Sequence, residues 1–216
     1  MLLLAFDTAT SAVTVALHDG AAVIAEESAV DGRRHGELLA VFIDKALRSV
    51  GVGRGDLTAV AVGTGPGPYT GLRAGLVTAR VLASALGIRI DGVCSLDVIA
   101  AAAQTEAAGS EFLVATDARR REVYWARYCA DGRRSYGPQV SRPADLPSGL
   151  AVAGEGARLY PELSDRPLNP SFPSAGQLAS IAAGRLARDE AAQPAVPLYL
   201  RRPDAREPGK PKRVTP

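Results

Sequence analysis

The sequence predicts an α/β chain of two lobes, and three observations carry that prediction. Three short strand-like runs open the chain, helical and strand patterns then alternate, and after the segment AAGSE (residues 107–111) a second set of strands begins. With 216 residues, 47% of them hydrophobic, the chain can bury a core of that size.

Leu2 to Phe6 reads as an apolar strand, and Asp7-Thr8-Ala9-Thr10-Ser11 as a polar turn returning into Val13 to Leu17. Asp19-Gly20 makes a second tight turn into Ala22 to Ala29, which completes a meander. A helix from His35 to Val50 follows, with Leu38, Leu39, Phe42, Ala46 and Leu47 at helical spacing and Gly51 placed to cap it. Strand Leu57–Gly63, helix Leu72–Leu86, strand Ile88–Val93 and helix Leu96–Gln104 come next. Three meander strands followed by alternating helices and strands is the ribonuclease H-like order, which also builds the lobes of the actin, sugar-kinase and heat-shock ATPase class. The first lobe is therefore expected over residues 1–107. A smaller lobe over 108–200 begins with a hairpin, Phe112–Thr116 and Glu122–Tyr128, turning through Asp117-Ala118-Arg119-Arg120. It continues with Ala151–Ala153, a helix from Ala175 to Arg188, and Val196–Leu200. Between Tyr136 and Pro173 the pattern is too broken by proline to assign.

The composition excludes several classes. No apolar run has the length of a membrane span, and MLLLAFDTAT lacks a basic region and a cleavage site, so a cytoplasmic protein is expected, with no membrane partner. Cys94 and Cys129 stand in no metal-type spacing, and His18 and His35 lie on different elements, so no metal site is expected. Net charge is only +2, yet Arg201, Arg202, Arg206, Lys210, Lys212 and Arg213 crowd the end. The proline-rich tail over residues 201–216 is expected to be disordered, either a solubilising end or a basic arm that touches RNA.

The segment with most chemical content is the glycine run Gly63, Gly65, Gly67 and Gly71 between a strand and a helix. Such a place suits an anion or the close approach of another backbone. No Lys follows the last glycine, so it is not a Walker loop. Pro66 and Pro68 remove two amides, which argues against a dinucleotide loop with Asp91 as its ribose acid. If a nucleotide binds, Asp7, Gly65, Gly67, Thr70 and Gly71 are its candidate contacts. The phosphate-binding glycine of the first turn is replaced by Ala9 and Thr10, which favours a structural use of Asp7. No G-x-S-x-G, S-x-x-K or H-E-x-x-H occurs, and no catalytic residue is assigned.

Four segments together resemble the bacterial TsaB family, also called YeaZ. They are Phe6-Asp7-Thr8-Ala9-Thr10, Arg34-His35-Gly36-Glu37, Gly65 to Gly75 (GPGPYTGLRAG) and Asp117 to Tyr124 (DARRREVY), with a fitting Pro197-Leu198-Tyr199-Leu200-Arg201 near the end. Pro68-Tyr69 and Gly36 depart from the family pattern. The resemblance implies a two-lobed subunit without catalysis of its own. It would pair with a TsaD-like transferase that forms threonylcarbamoyladenosine next to the anticodon of tRNA, joined by a TsaE-like ATPase. It implies no cofactor in the isolated chain, ATP or ADP only at a subunit junction, and a homodimer when the chain is alone. A small-molecule kinase or ATPase of the same fold is the alternative, and a nicotinamide enzyme a remote third. The first two helices are richer in apolar residues, Val41 and Ile43 included, than one sheet-facing side needs. His35, Leu38, Leu39, Phe42, Arg73, Gly75, Leu76 and Ala79 are the expected partner contacts, with Gly75 and Ala79 admitting a second helix. Arg73 is expected on an anion or on Glu37, and Arg119, Arg120 and Arg121 are either solvated or on tRNA phosphates.

Overall fold

The computed structural model describes residues 1–201, and the tail from residue 202 onward, expected to be disordered, lies outside them. One five-stranded sheet holds β1 (Leu3–Asp7), β2 (Ala12–His18), β3 (Val23–Val30), β4 (Ala59–Gly63) and β5 (Arg89–Val93), in the order β3-β2-β1-β4-β5. A second holds β6 (Phe112–Asp117), β7 (Val123–Tyr128), β8 (Arg134–Ser141), β9 (Ala151–Ala153) and β10 (Pro167–Leu168), in the order β10-β9-β6-β7-β8. In each sheet the first three strands run antiparallel and the last two join the first in parallel. The order expected of the first lobe therefore occurs twice, and both lobes are ribonuclease H-like.

Alternation along β1 sets the layers of the first lobe. Leu4 and Phe6 face α1 (His35–Ser49) and α2 (Tyr69–Leu86), where Leu39, Ile43, Leu47, Leu72, Leu76 and Ala79 cover them. Leu3 and Ala5 face the other way, towards α5 (Ala175–Ala187). Small residues line both sides of that second layer, Ala16, Ala59 and Ala61 on the sheet and Ala175, Ala179, Ala182 and Ala183 on the helix, so α5 can lie close. Between the lobes runs α3 (Ser95–Ala103): Val98 belongs to the first core, and Leu96, Ile99 and Ala103 to the second.

These contacts correct the expected boundary at residue 107. The helix assigned by sequence to the second lobe, α5, packs on β1 and β2 of the first sheet. Val196–Leu200 is not a strand either. Pro197 denies it one donor, and with the residues before it the segment crosses the first lobe as a strap, with Gly92 N–H donating to Gln193 O at 2.9 Å and Leu198 N–H to Thr64 O at 2.9 Å. Two strands are missing from the sequence reading, the two-residue β10 and β8, and both contain proline and lie at a sheet edge, the position where a strand tolerates it. The short helix α4 (Gly156–Leu159) fell in the same unassigned stretch. Glycines in the left-handed region close two helices: Gly51, the cap expected from the sequence, has φ 71°, and Gly87 has φ 65°.

Candidate functional site: the first turn, the glycine segment and the outer faces of α1 and α2

The turn after β1 is a hub in which successive residues each fasten a different element. Asp7 is fully buried. Its Oδ1 accepts the Ala9 amide at 2.7 Å and its Oδ2 the Ser95 hydroxyl at 2.5 Å, at the start of α3. Ser95 Oγ accepts the Gly65 amide in turn, at 3.2 Å. Burial pushes the Asp7 carboxyl above the usual aspartate range, opposed by the hydroxyl and amide it accepts. Thr8 Oγ1 donates to Gly71 O at 2.7 Å and accepts Gly75 N–H at 3.1 Å, bridging two groups that an α-helix pairs with each other. Thr10 O accepts a hydrogen bond from His35 Nε2 at 2.8 Å, which fixes the proton on that nitrogen and ties the turn to α1.

The glycine segment closes against this turn. A Cβ at Gly63 would run into the Asp7 carboxylate, one at Gly67 into the Ala9 carbonyl, and one at Gly71 would stand 2.5 Å from Thr8 O and 3.0 Å from His35 Nε2. These glycines serve the close approach of the first turn, to the Asp7 side chain at Gly63 and to the backbone of Ala9 and Thr8 at Gly67 and Gly71. Gly65, Gly67 and Gly71 are buried, Thr70 is exposed, and Gly71 lies inside α2, which starts at Tyr69, three residues earlier than read. Asp91 has other work too. Its Oδ1 accepts Gln193 N–H at 2.7 Å and its Oδ2 pairs with Arg185 at 3.5 Å, which fastens the strap and α5 to β5.

No helix of the described residues is long and apolar enough to cross a membrane, and among those residues no three His, Cys, Asp or Glu gather as metal ligands. His18 Nδ1 accepts Gly20 N–H at 2.9 Å at the far end of β2. The Cys94 thiol is pushed up to about 11, first by burial and then by Asp97, and both cysteines are free.

A family model described as "TsaD: tRNA N6-adenosine threonylcarbamoyltransferase" matches residues 23–205. A protein of Escherichia coli named tRNA threonylcarbamoyladenosine biosynthesis protein TsaB is 31% identical over 220 residues, covering 93% of this chain and 95% of that protein. The chain belongs to the TsaB family. An uncharacterised protein of Mycobacterium tuberculosis is 49% identical over 207 residues, 94% of this chain and 93% of that one. Among solved structures, YeaZ from Pseudomonas aeruginosa has a TM-score of 0.80 at 31% identity, over 92% of this chain and 99% of that one.

In this TsaB-family chain the expected partner contacts divide in two. Leu39, Gly75, Leu76 and Ala79 are buried within the chain and are not available to a partner. Gly75 is small because Thr8 Oγ1 fills the space beside it, not because a second helix approaches. Ile43 is likewise inward. His35, Leu38 and Phe42 are half-buried at the edge of the layer, and Arg73 is exposed. Arg73 does not pair with Glu37: its guanidinium lies 3.6 Å from the centre of the Tyr69 ring, and its Nε donates to Tyr199 OH at 2.8 Å. Tyr69 and Tyr199 stack with ring centroids 4.8 Å apart, which locks the strap to α2. The free apolar surface is made by residues the sequence reading passed over, apart from Val41. Val41 on α1 and Val77 and Val81 on α2 are 58%, 59% and 61% exposed, and both helices turn these faces away from the same side of the sheet. Val77 and Val81 stand four residues apart, and that spacing on the side opposite Leu72, Leu76 and Ala79 was the available signal.

Proposed function

We propose that the chain is a non-catalytic subunit of the machinery that forms threonylcarbamoyladenosine next to the anticodon of tRNA, and that it acts by pairing with a TsaD-like transferase through the outer faces of α1 and α2. The observation that carries this reading is the pairing of a closed first turn with an exposed valine stripe. The acid and glycines that would cradle a phosphate are spent on each other, while Val41, Val77 and Val81 present apolar area to solvent. The closed turn also speaks against the kinase or ATPase alternative, since a γ-phosphate has no open glycine backbone to approach. In this reading ATP or ADP belongs at the subunit junction, a TsaE-like ATPase joins the pair, tRNA is held by the whole complex in the cytoplasm, and a second copy takes the same face when the transferase is absent. Sedimentation of the chain alone and with a TsaD-like subunit is the test. A self-associating chain that moves quantitatively into a mixed complex supports the reading, and a chain indifferent to that subunit overturns it.

A further inference from the structure

The two faces of the second sheet are covered unequally. Helix α3 lies on one, while on the other only Leu146, Ala157 and Leu163, from the four-residue α4 and the irregular segments around it, pack on Leu113, Val123, Trp125 and Val152. Arg127 comes next after Trp125 on that face of β7, and Tyr136 stands opposite it on the edge strand β8. There a cavity of about 600 Å³ opens on the surface, and Glu111, Trp125, Arg127, Tyr136 and Asp145 contribute to its lining.

The lining combines aromatic faces with one carboxylate that nothing answers. Trp125 and Tyr136 are tilted at 37° with ring centroids 5.4 Å apart, which makes two walls of an aromatic cage. Trp125 is buried and its indole N–H is already used, donating to Ser141 Oγ at 3.1 Å, whereas Tyr136 is 53% exposed. Glu111 pairs with Arg127, so those two charges offset each other. Asp145 is exposed, and its carboxylate has no ion pair or hydrogen bond among the described residues. Arg142, three residues earlier, neither pairs with it nor lines the cavity. The cavity therefore carries one unopposed negative charge.

We propose that this groove on the second lobe is a docking site for a basic segment of a partner protein, one of whose arginine side chains lies against Tyr136 and Trp125 and pairs with Asp145. A guanidinium stacks on aromatic rings and accepts a carboxylate in the same plane, so one side chain satisfies both features. RNA fits less well, because a phosphate backbone would meet an unpaired acid. A half-exposed ring and charged walls cover a ligand from one side only, which suits a side chain offered by another surface better than a free small molecule. The groove lies on the lobe opposite the valine stripe of α1 and α2, so the proposal does not depend on the pairing described above.

Trp125 is the only tryptophan of the chain, so its fluorescence reports on the groove directly. The test titrates the full-length chain with a capped Gly-Gly-Arg-Gly-Gly peptide, with the same peptide carrying neutral citrulline for arginine, with free arginine and with an oligouridylate. A saturable change at about 1 mM arginine peptide or below, and at least about fivefold weaker binding of the citrulline peptide and of free arginine, support the proposal. Asp145→Asn and Tyr136→Leu should each weaken the arginine peptide about three- to fivefold, and Tyr136→Phe should keep wild-type affinity. Both side chains are exposed, so melting temperatures should stay within a few degrees of wild type, and if Tyr136→Leu unfolds, Asp145→Asn alone decides. No saturable change, equal affinity for arginine and citrulline peptides, or wild-type affinity in Asp145→Asn would overturn it. Free arginine binding as tightly as the peptide would mean a small-molecule site, and tighter binding of the oligouridylate would mean an RNA surface. Either of these also overturns it.

Discussion

Asp7 stands where an acid of this fold class can meet a metal–nucleotide complex, and its hydrogen bonds to Ala9 and Ser95 support the structural use expected of it. Burial raises its native pKa above the unfolded value, so the native state holds the proton more tightly. The stability it contributes is fully present below the usual aspartate value and is lost as pH rises through the raised native value. Asp7→Asn should therefore gain on the wild type in melting temperature as pH goes from 4 to 7, and parallel melting curves over that range would contradict the assignment. Gly67 and Gly36 give a second pair of outcomes. At Gly67 a Cβ meets the Ala9 carbonyl, a backbone atom that cannot step aside, so Gly67→Ala should cost about 1–3 kcal/mol in chemical denaturation. Nothing lies within 4 Å of a Cβ at Gly36, inside α1, where Gly36→Ala should gain about 0.5–1 kcal/mol. The glycine run was legible as a place of close approach. That the approaching partners would be Asp7, Thr8 and Ala9 was not, because they come from another strand and meet it only once β1 and β4 pair.

Elements with a clean period were readable and elements held by tertiary contacts were not. The 3.6-residue spacing in α1, α2 and α5 placed them to within about three residues. Neither the edge strand β8, with its proline, nor the strap of residues 189–200, without regular structure, has a periodicity to read. Apolar content in α1 and α2 was read correctly as excess, but its direction was not. The small residues Gly75 and Ala79 looked like a landing strip for a second helix, whereas they accommodate Thr8 and the sheet. Val77→Glu/Val81→Glu should therefore keep the wild-type melting temperature to within a few degrees, since both side chains are solvated, and should abolish association seen by sedimentation. A collapse in melting temperature would show that the stripe is internal. The strap has its own signature: Tyr199→Ala removes the ring stack and the Arg73 contact, for an expected loss of about 1–2 kcal/mol.

At the scale of the whole molecule, one topology is used twice, and α3 runs between the two copies. Helix α3 shares its residues between both cores, Ser95 at its start is bonded to Asp7, and the strap lies over the ends of β4 and β5. In α/β folds ligands bind outside the carboxyl ends of parallel strands, and here Thr64 and Gly92 receive the strap at that place. The two-lobed plan was legible from the order of strand and helix patterns. The return of α5 to the first lobe was not, because nothing local in an alanine-rich helix says which sheet it covers. The central claim is that this chain contributes a surface and no chemistry. Reconstitution of threonylcarbamoyladenosine formation on tRNA, with the adenylate-making enzyme, a TsaD-like subunit and a TsaE-like ATPase added in turn, tests it most directly. The account predicts no product from this chain with the adenylate-making enzyme alone, product once the other subunits join, and none when Val77→Glu/Val81→Glu replaces the wild type. Product in the absence of the TsaD-like subunit, or full activity from the double variant, would contradict it.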